Sequence, residues 1–200
     1  MSTHNIDNIV NLQHRIFSFE EVNVISIQKS YLFCFGHRVW NQELSNNQLC
    51  KCVRIHGHLG KIDLVLTSDS LTRGMVVDFN EIKSVKRYID DNIDHHFLVD
   101  VEDPLLTSWL SHYNMSLDDL YSTECGFKVS MGKLYIKHER EFFESLVILP
   151  FVPTSENLAL FMFSQVNRML KDLNESLKVV VKLECLRWWE SDSSFAEVRG

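Results

Sequence analysis

Polar and apolar positions begin to alternate at Ile25, with Ser26, Gln28 and Ser30 set between Ile25, Ile27 and Tyr31, followed by Phe33 and Phe35. A period of two sends successive side chains to opposite faces of an extended chain, so the pattern predicts a strand between 25 and 40 that closes at Gly36 and His37. A second strand is predicted over 58–67, where Ile62, Leu64 and Leu66 share the face of His56 and His58. The stretch 68–74, ending in Gly74, reads as its closing turn. From there the period lengthens. Phe79, Ile82, Val85, Ile89 and Ile93 recur at helical spacing, and Asp78 with Glu81 has the form of a capping box, which predicts a helix over 79–92.

After Pro153, Thr154 or Ser155 opens a second helix with a wide apolar stripe of Leu158, Phe161, Met162, Val166, Met169, Leu170 and Leu173. A β-rich run over 177–189 and a short partner over 195–199 complete the order ββααββ. That order implies an α+β domain over 25–200, preceded by an N-terminal arm of 1–24. Between about 101 and 152 the pattern weakens. A hairpin over 127–137 around Met131 and Gly132 is its one local signal. The stretch is too long for an ordinary connection, which predicts an insertion with structure of its own.

With 200 residues, 45% of them hydrophobic, the chain has the material for one domain with a full core. A net charge of −7 argues against a direct nucleic-acid binder, which needs a basic face to displace counterions. The first eleven residues lack the basic and apolar regions of a signal peptide, and no apolar run is long enough to span a bilayer. Five irregularly spaced cysteines fit reduced thiols better than a disulfide framework. Together these features read as a soluble, cytoplasmic protein without a membrane partner.

The candidate chemistry lies in Cys50-Lys51-Cys52-Val53-Arg54-Ile55-His56-Gly57-His58. On a strand His56 and His58 project from one face and can reach one cation, and His37, at the rim of the first strand, is the best third ligand. Three neutral imidazoles leave a zinc ion its full charge and an open position, the arrangement of catalytic sites. Taken alone, His37 reads equally well as a hydrogen-bonded turn histidine. A four-ligand zinc knuckle of Cys50, Cys52, His56 and His58 is the other reading, although only three residues separate its ligand pairs. Asp94 beside His95 and His96 forms a possible acid/base pair if a turn brings them together. Glu190, at the end of the long strand, is by itself a strand-end acid.

In this order the residues resemble the family of 6-pyruvoyltetrahydropterin synthase and 6-carboxytetrahydropterin synthase. The resemblance is carried by Phe35-Gly36-His37-Arg38, Cys52 with His56-Gly57-His58, Gly74-Met75-Val76-Val77-Asp78-Phe79, Ile93-Asp94-His95-His96, Pro153-Thr154-Ser155-Glu156, and Trp189-Glu190-Ser191 with Phe195-Ala196-Glu197. It implies a tunnelling fold, with a four-stranded antiparallel sheet and two helices per subunit, assembled as a homohexamer with active sites between subunits. It further implies that His37, His56 and His58 bind Zn2+ and that Cys52 moves protons on the substrate side chain. Asp94 and His95 would complete a proton relay reaching Cys52 from an adjacent subunit. Glu190 would grip the pterin, with Glu156 and Thr154 as further pocket candidates and Glu184 as a rival acid.

The implied substrate is 7,8-dihydroneopterin triphosphate. The three residues between Cys52 and His56 match the 6-carboxytetrahydropterin branch, which releases acetaldehyde on the route to queuosine and other 7-deazaguanines. The five between Cys50 and His56 match the animal pyruvoyl branch. Alternatives are therefore a pyruvoyl-forming activity and a non-catalytic binding or assembly module on the same fold.

Overall fold

The structure is a computed structural model that describes residues 25–200 except 44, 46, 47 and 49, so the predicted arm 1–24 lies outside the described residues. In chain order these form β1 (Ile25–His37), β2 (His56–Ser68), α1 (Lys83–Asn92), β3 (His96–Asp100), α2 (Pro104–His112), β4 (Leu120–Thr123), β5 (Gly126–Val129), α3 (Lys137–Glu144), β6 (Leu146–Leu149), α4 (Ser155–Leu177), β7 (Val181–Ser191) and β8 (Ser194–Arg199). The strands form one mixed sheet in the order β4-β5-β6-β3-β1-β2-β7-β8. Its β1-β2-β7-β8 half is antiparallel throughout.

One face of that half is dry. Tyr31, Phe33 and Phe35 of β1, Ile62, Leu64 and Leu66 of β2, and Leu186 and Trp188 of β7 are buried with Val85 and Ile89 of α1 and Leu158, Met162 and Val166 of α4. The rings of Phe33 and Phe35 lie 5.1 and 5.2 Å from that of Trp188, within the range of favourable aromatic pairing. The opposite face carries exposed Leu32 and Leu59 and a polar cluster in which Asp63 accepts from Ser30 Oγ and Trp189 Nε1. β2 and β7 change register between Val65 and Leu66.

Two expectations are corrected. The sheet is neither four-stranded nor wholly antiparallel, and there are four α-helices among the described residues rather than two. The additions are β3 to β6 with α2 and α3. β3 runs parallel to β1, and β6 runs parallel to β3. They enclose a second apolar cluster that includes Val99, Leu106, Leu110, Phe143 and Ile148. Within this segment the hairpin is β4-β5, earlier than predicted, and Met131–Lys133 is a 3-10 turn.

The first helix also starts later than predicted, at Lys83. Asp78 Oδ1 accepts from the Asn80 amide and side chain, so it builds a turn instead of a capping box with Glu81. α4 opens at Ser155 with Thr154 as its cap, and β7 starts at Val181, after α4 has run through Leu177. No helix among the described residues is long and apolar enough to cross a membrane.

Gly126 shows how tightly the β4-β5 hairpin is seated. Its φ is 138°, and a Cβ there would lie 2.2 Å from the Ile148 carbonyl oxygen. Gly126→Ala is therefore expected to lower stability by about 2 kcal/mol. Urea unfolding should show a lower midpoint at unchanged slope; an unchanged midpoint would contradict this packing.

Candidate metal and acid-base site

The β1-β2 register places His37 directly opposite His56, and Phe35 opposite His58. Residues opposite each other in a ladder share a face, as do residues two apart on one strand, so all three imidazoles project together. Their donor atoms lie within 4.8 Å of one another, and the ring centroids are 4.6 to 5.0 Å apart. His37 Nε2 and His58 Nε2 stand 3.1 Å apart. Nitrogens bound at about 2.0–2.1 Å around a tetrahedral zinc are roughly 3.4 Å apart, so this donor set fits such an ion.

Backbone carbonyls fix the ring orientations. His37 Nδ1 lies 2.7 Å from the Pro153 carbonyl and His56 Nδ1 2.7 Å from the Arg54 carbonyl. A carbonyl only accepts, so each Nδ1 carries the proton and each Nε2 keeps a lone pair in the neutral ring. Burial, with His56 and His58 adding to it, pushes His37 down to about 4, so this imidazole is neutral at neutral pH. Pro153 was absent from the predicted site: it acts through its backbone, and its only sequence signal was its place before Thr154-Ser155-Glu156.

Cys52 sits in the 3-10 turn Lys51–Val53, whose Cys52 carbonyl accepts the Val39 amide at 2.8 Å, two residues beyond His37. Burial raises its thiol above the ordinary value, and the Cys50 thiol and Glu190 raise it further. Cys50 is in contact with Cys52, and neither thiol belongs to the group of three imidazoles whose donor atoms are close enough to share one ion, which argues against the four-ligand knuckle.

Glu190 Oε1 is 3.7 Å from His37 Nε2. Its rival Glu184 is exposed near Ser26, Asp69 and Gly200, at the other end of the sheet. Thr154 accepts the Asn157 amide as the α4 cap, and Glu156 is exposed in the first turn of that helix.

Asp94 and His95 do converge, with His95 Nδ1 at 3.0 Å from Asp94 Oδ1. His95 adopts φ 60°, and its amide donates to the Cys34 carbonyl at 2.7 Å, while Asp94 accepts the Cys34 amide at 2.7 Å. Partial burial acts to raise the Asp94 carboxyl, but the Cys34 amide and His95 together hold it below its usual range. The His95 side chain is 80% exposed, beside an open groove of about 490 Å³ that is also lined by Cys34, His58, Leu59 and Phe97. Among the described residues no hydrogen bond or ion pair joins Asp94 or His95 to Cys52.

Residues 26–200 match the sequence model of the family described as 6-pyruvoyl tetrahydropterin synthase. The chain belongs to that family. Its relatives in the 6-pyruvoyl tetrahydropterin synthase family include a 6-carboxy-5,6,7,8-tetrahydropterin synthase of Aquifex aeolicus, 28% identical over 185 residues that span 86% of this chain and 96% of that protein. A protein of the same name from Haemophilus influenzae is 28% identical over 179 residues, 87% of this chain and 98% of that one. Among solved structures, a Wolinella succinogenes protein matches with a TM-score of 0.76 at 35% identity, covering 88% of this chain and 98% of its own. The 6-pyruvoyl tetrahydropterin synthase of Plasmodium vivax shares the fold at 17% identity and a TM-score of 0.52, covering 88% and 96%. The family supports a tetrahydropterin synthase-type lyase reaction on a pterin.

Proposed function

We propose that the protein is a zinc-dependent lyase converting 7,8-dihydroneopterin triphosphate and water to 6-carboxy-5,6,7,8-tetrahydropterin, acetaldehyde and triphosphate, in the queuosine and 7-deazaguanine pathway. The observation that carries this reading is the convergence of three imidazoles, two with carbonyl-bound Nδ1 atoms, beside Cys52 and Glu190. The names of the two bacterial relatives support the carboxy branch.

His37, His56 and His58 hold the zinc. When bound, the ion supplies Lewis acidity toward the adjacent hydroxyls of the substrate side chain and positive charge beside Cys52. Cys52 takes and returns the carbon-bound protons of that side chain. Glu190 accepts two parallel N–H bonds from the 2-amino and N3 edge of the pterin. Thr154 and Glu156, in the stretch after Pro153, are assigned to the pterin pocket on the resemblance alone.

Asp94 orients His95, and the exposed His95 imidazole serves a Cys52 of an adjacent subunit. This fits a homohexamer with shared sites. β1 pairs with β3 only at 35–37, so among the described residues the 25–33 edge has no ladder partner on that side. An open strand edge is a template for another strand.

Cys50, in contact with Cys52 and separated from His56 by five residues, favours the pyruvoyl product as the second reading. The test is to purify the protein without chelator, measure its zinc and incubate it with 7,8-dihydroneopterin triphosphate. About one zinc per subunit, with acetaldehyde and the carboxylated pterin as products, is expected. A pyruvoyl pterin would select the second reading. Bound zinc with neither product would overturn the enzymatic reading in favour of a binding module.

A further inference from the structure

β3 joins β1 through three residue pairs only, Phe35–His37 opposite His96–Leu98, so the β3-to-β6 part of the sheet is attached at the end that carries His37. Each of the three residues after His37 is then tied to a different partner. Arg38 Nε lies 3.0 Å from Asp103 Oδ2, the Val39 amide donates to the Cys52 carbonyl at 2.8 Å, and Trp40 Nε1 donates to Asp100 Oδ2 at 2.8 Å.

The two acids belong to the corner between β3 and α2. Asp103 is fully buried and caps α2 through the Leu105 amide, and Asp100, also buried, takes the Glu102 amide on its other oxygen. Each carboxylate therefore fixes the corner with one oxygen and the end of β1 with the other. The Arg38 contact is an ion pair without an aligned hydrogen bond, so charge is what holds it. At the far end of the same segment, past β6, the Pro153 carbonyl holds His37 Nδ1.

We propose that Asp103 and Asp100 are positioning residues for His37, bracing the strand end through Arg38 and Trp40 so that its imidazole and the Cys52 turn keep their relative placement. This gives the middle segment a role in the site itself. It rests on the reading of His37, His56 and His58 as a metal-binding group. A buried carboxylate needs its countercharge, so Asp103 dictates where Arg38 lies, and Arg38 adjoins the ligand. Ligand orientation set by outer groups tunes metal retention by about 10–100-fold.

The test uses the full chain loaded with Co2+, whose visible d–d absorption reports ligand geometry independently of turnover. Asp103→Asn keeps the size and the capping oxygen of the side chain but removes its charge. Trp40→Phe keeps an aromatic ring but removes the donor to Asp100. Lys133→Ala, which breaks the exposed Lys133–Asp119 pair in the same segment, is the control. In Asp103→Asn the absorption is expected to shift and Co2+ to pass to excess chelator about 10-fold faster. Trp40→Phe should move both in the same direction by less, and Lys133→Ala should match wild type. Superimposable spectra and release rates in wild type, Asp103→Asn and Trp40→Phe would overturn the brace while leaving the metal site standing. A wild-type protein that gives no Co2+ band would overturn the metal reading, and the brace with it.

Discussion

Cys52→Ala is expected to lower turnover of 7,8-dihydroneopterin triphosphate by about 10³-fold while the zinc content stays at wild-type level. The thiol lies in the turn that Val39 ties to the end of β1, and Glu190, 3.7 Å from His37, acts on it electrostatically. It is therefore near the three imidazoles but outside the group whose donor atoms could share one ion. Loss of a proton-transfer group slows chemistry without emptying the site, so the effect should fall on kcat with little change in KM. Cys50→Ala should stay within about threefold of wild type, since a contact to the acting thiol is a smaller contribution than the thiol itself. Acetaldehyde release and metal analysis on the two variants decide the matter. Wild-type turnover in Cys52→Ala would remove it from the mechanism, and a collapse in Cys50→Ala alone would transfer the role to Cys50.

Arg38→Met should cost about 3 kcal/mol, toward the low end for breaking a buried pair because the guanidinium side chain is 19% exposed. The loss should also depend on pH. Burial pushes the Asp103 carboxyl above its usual range, against the Leu105 amide and Arg38, which pull it down. A carboxyl with a higher value folded than unfolded binds more protons in the folded state between the two, so its contribution to stability falls as pH rises through that window. Removing Arg38 extends the window upward. The variant should therefore lie closer to wild type at about pH 5 than at about pH 8 when both are unfolded in urea. A deficit of equal size at both values would show that Asp103 is not the group left uncompensated.

The elements legible in the sequence are those that bury a single face. β1, β2 and α4 carry an apolar period over ten residues or more, and the order of the outer elements follows from them. β6 is four residues long and buried throughout, so Leu146–Leu149 has no alternation to read, and β3 is nearly as short. Their pairing depends on the apolar cluster around Leu106, Leu110 and Phe143, which no local pattern announces. In the site, the histidines were legible because the spacing of His56 and His58 fixes their face whatever the rest of the fold does. The Pro153 carbonyl, which orients His37, and Asp103, which meets Arg38 across 65 positions, were not. A backbone acceptor has no residue type to betray it, and a buried acid in a weakly patterned segment resembles any surface aspartate.

The change of register between β2 and β7 has a consequence for Glu190. Counting inward-facing residues along β7 from Val181 and Leu183 gives odd numbers, yet beyond the irregularity the buried positions Leu186 and Trp188 are even. The strand thus skips one beat at Glu184 and Cys185. Trp188 thereby joins the inward face, and Glu190, at a second irregularity where β7 and β8 change register between Trp189 and Ser191, lies on the same side and faces His37. Two interruptions of the ladder, one well away from the imidazoles and one at the acid itself, therefore set which side of the sheet holds Glu190, and with it whether that carboxylate stands beside His37 or behind the sheet.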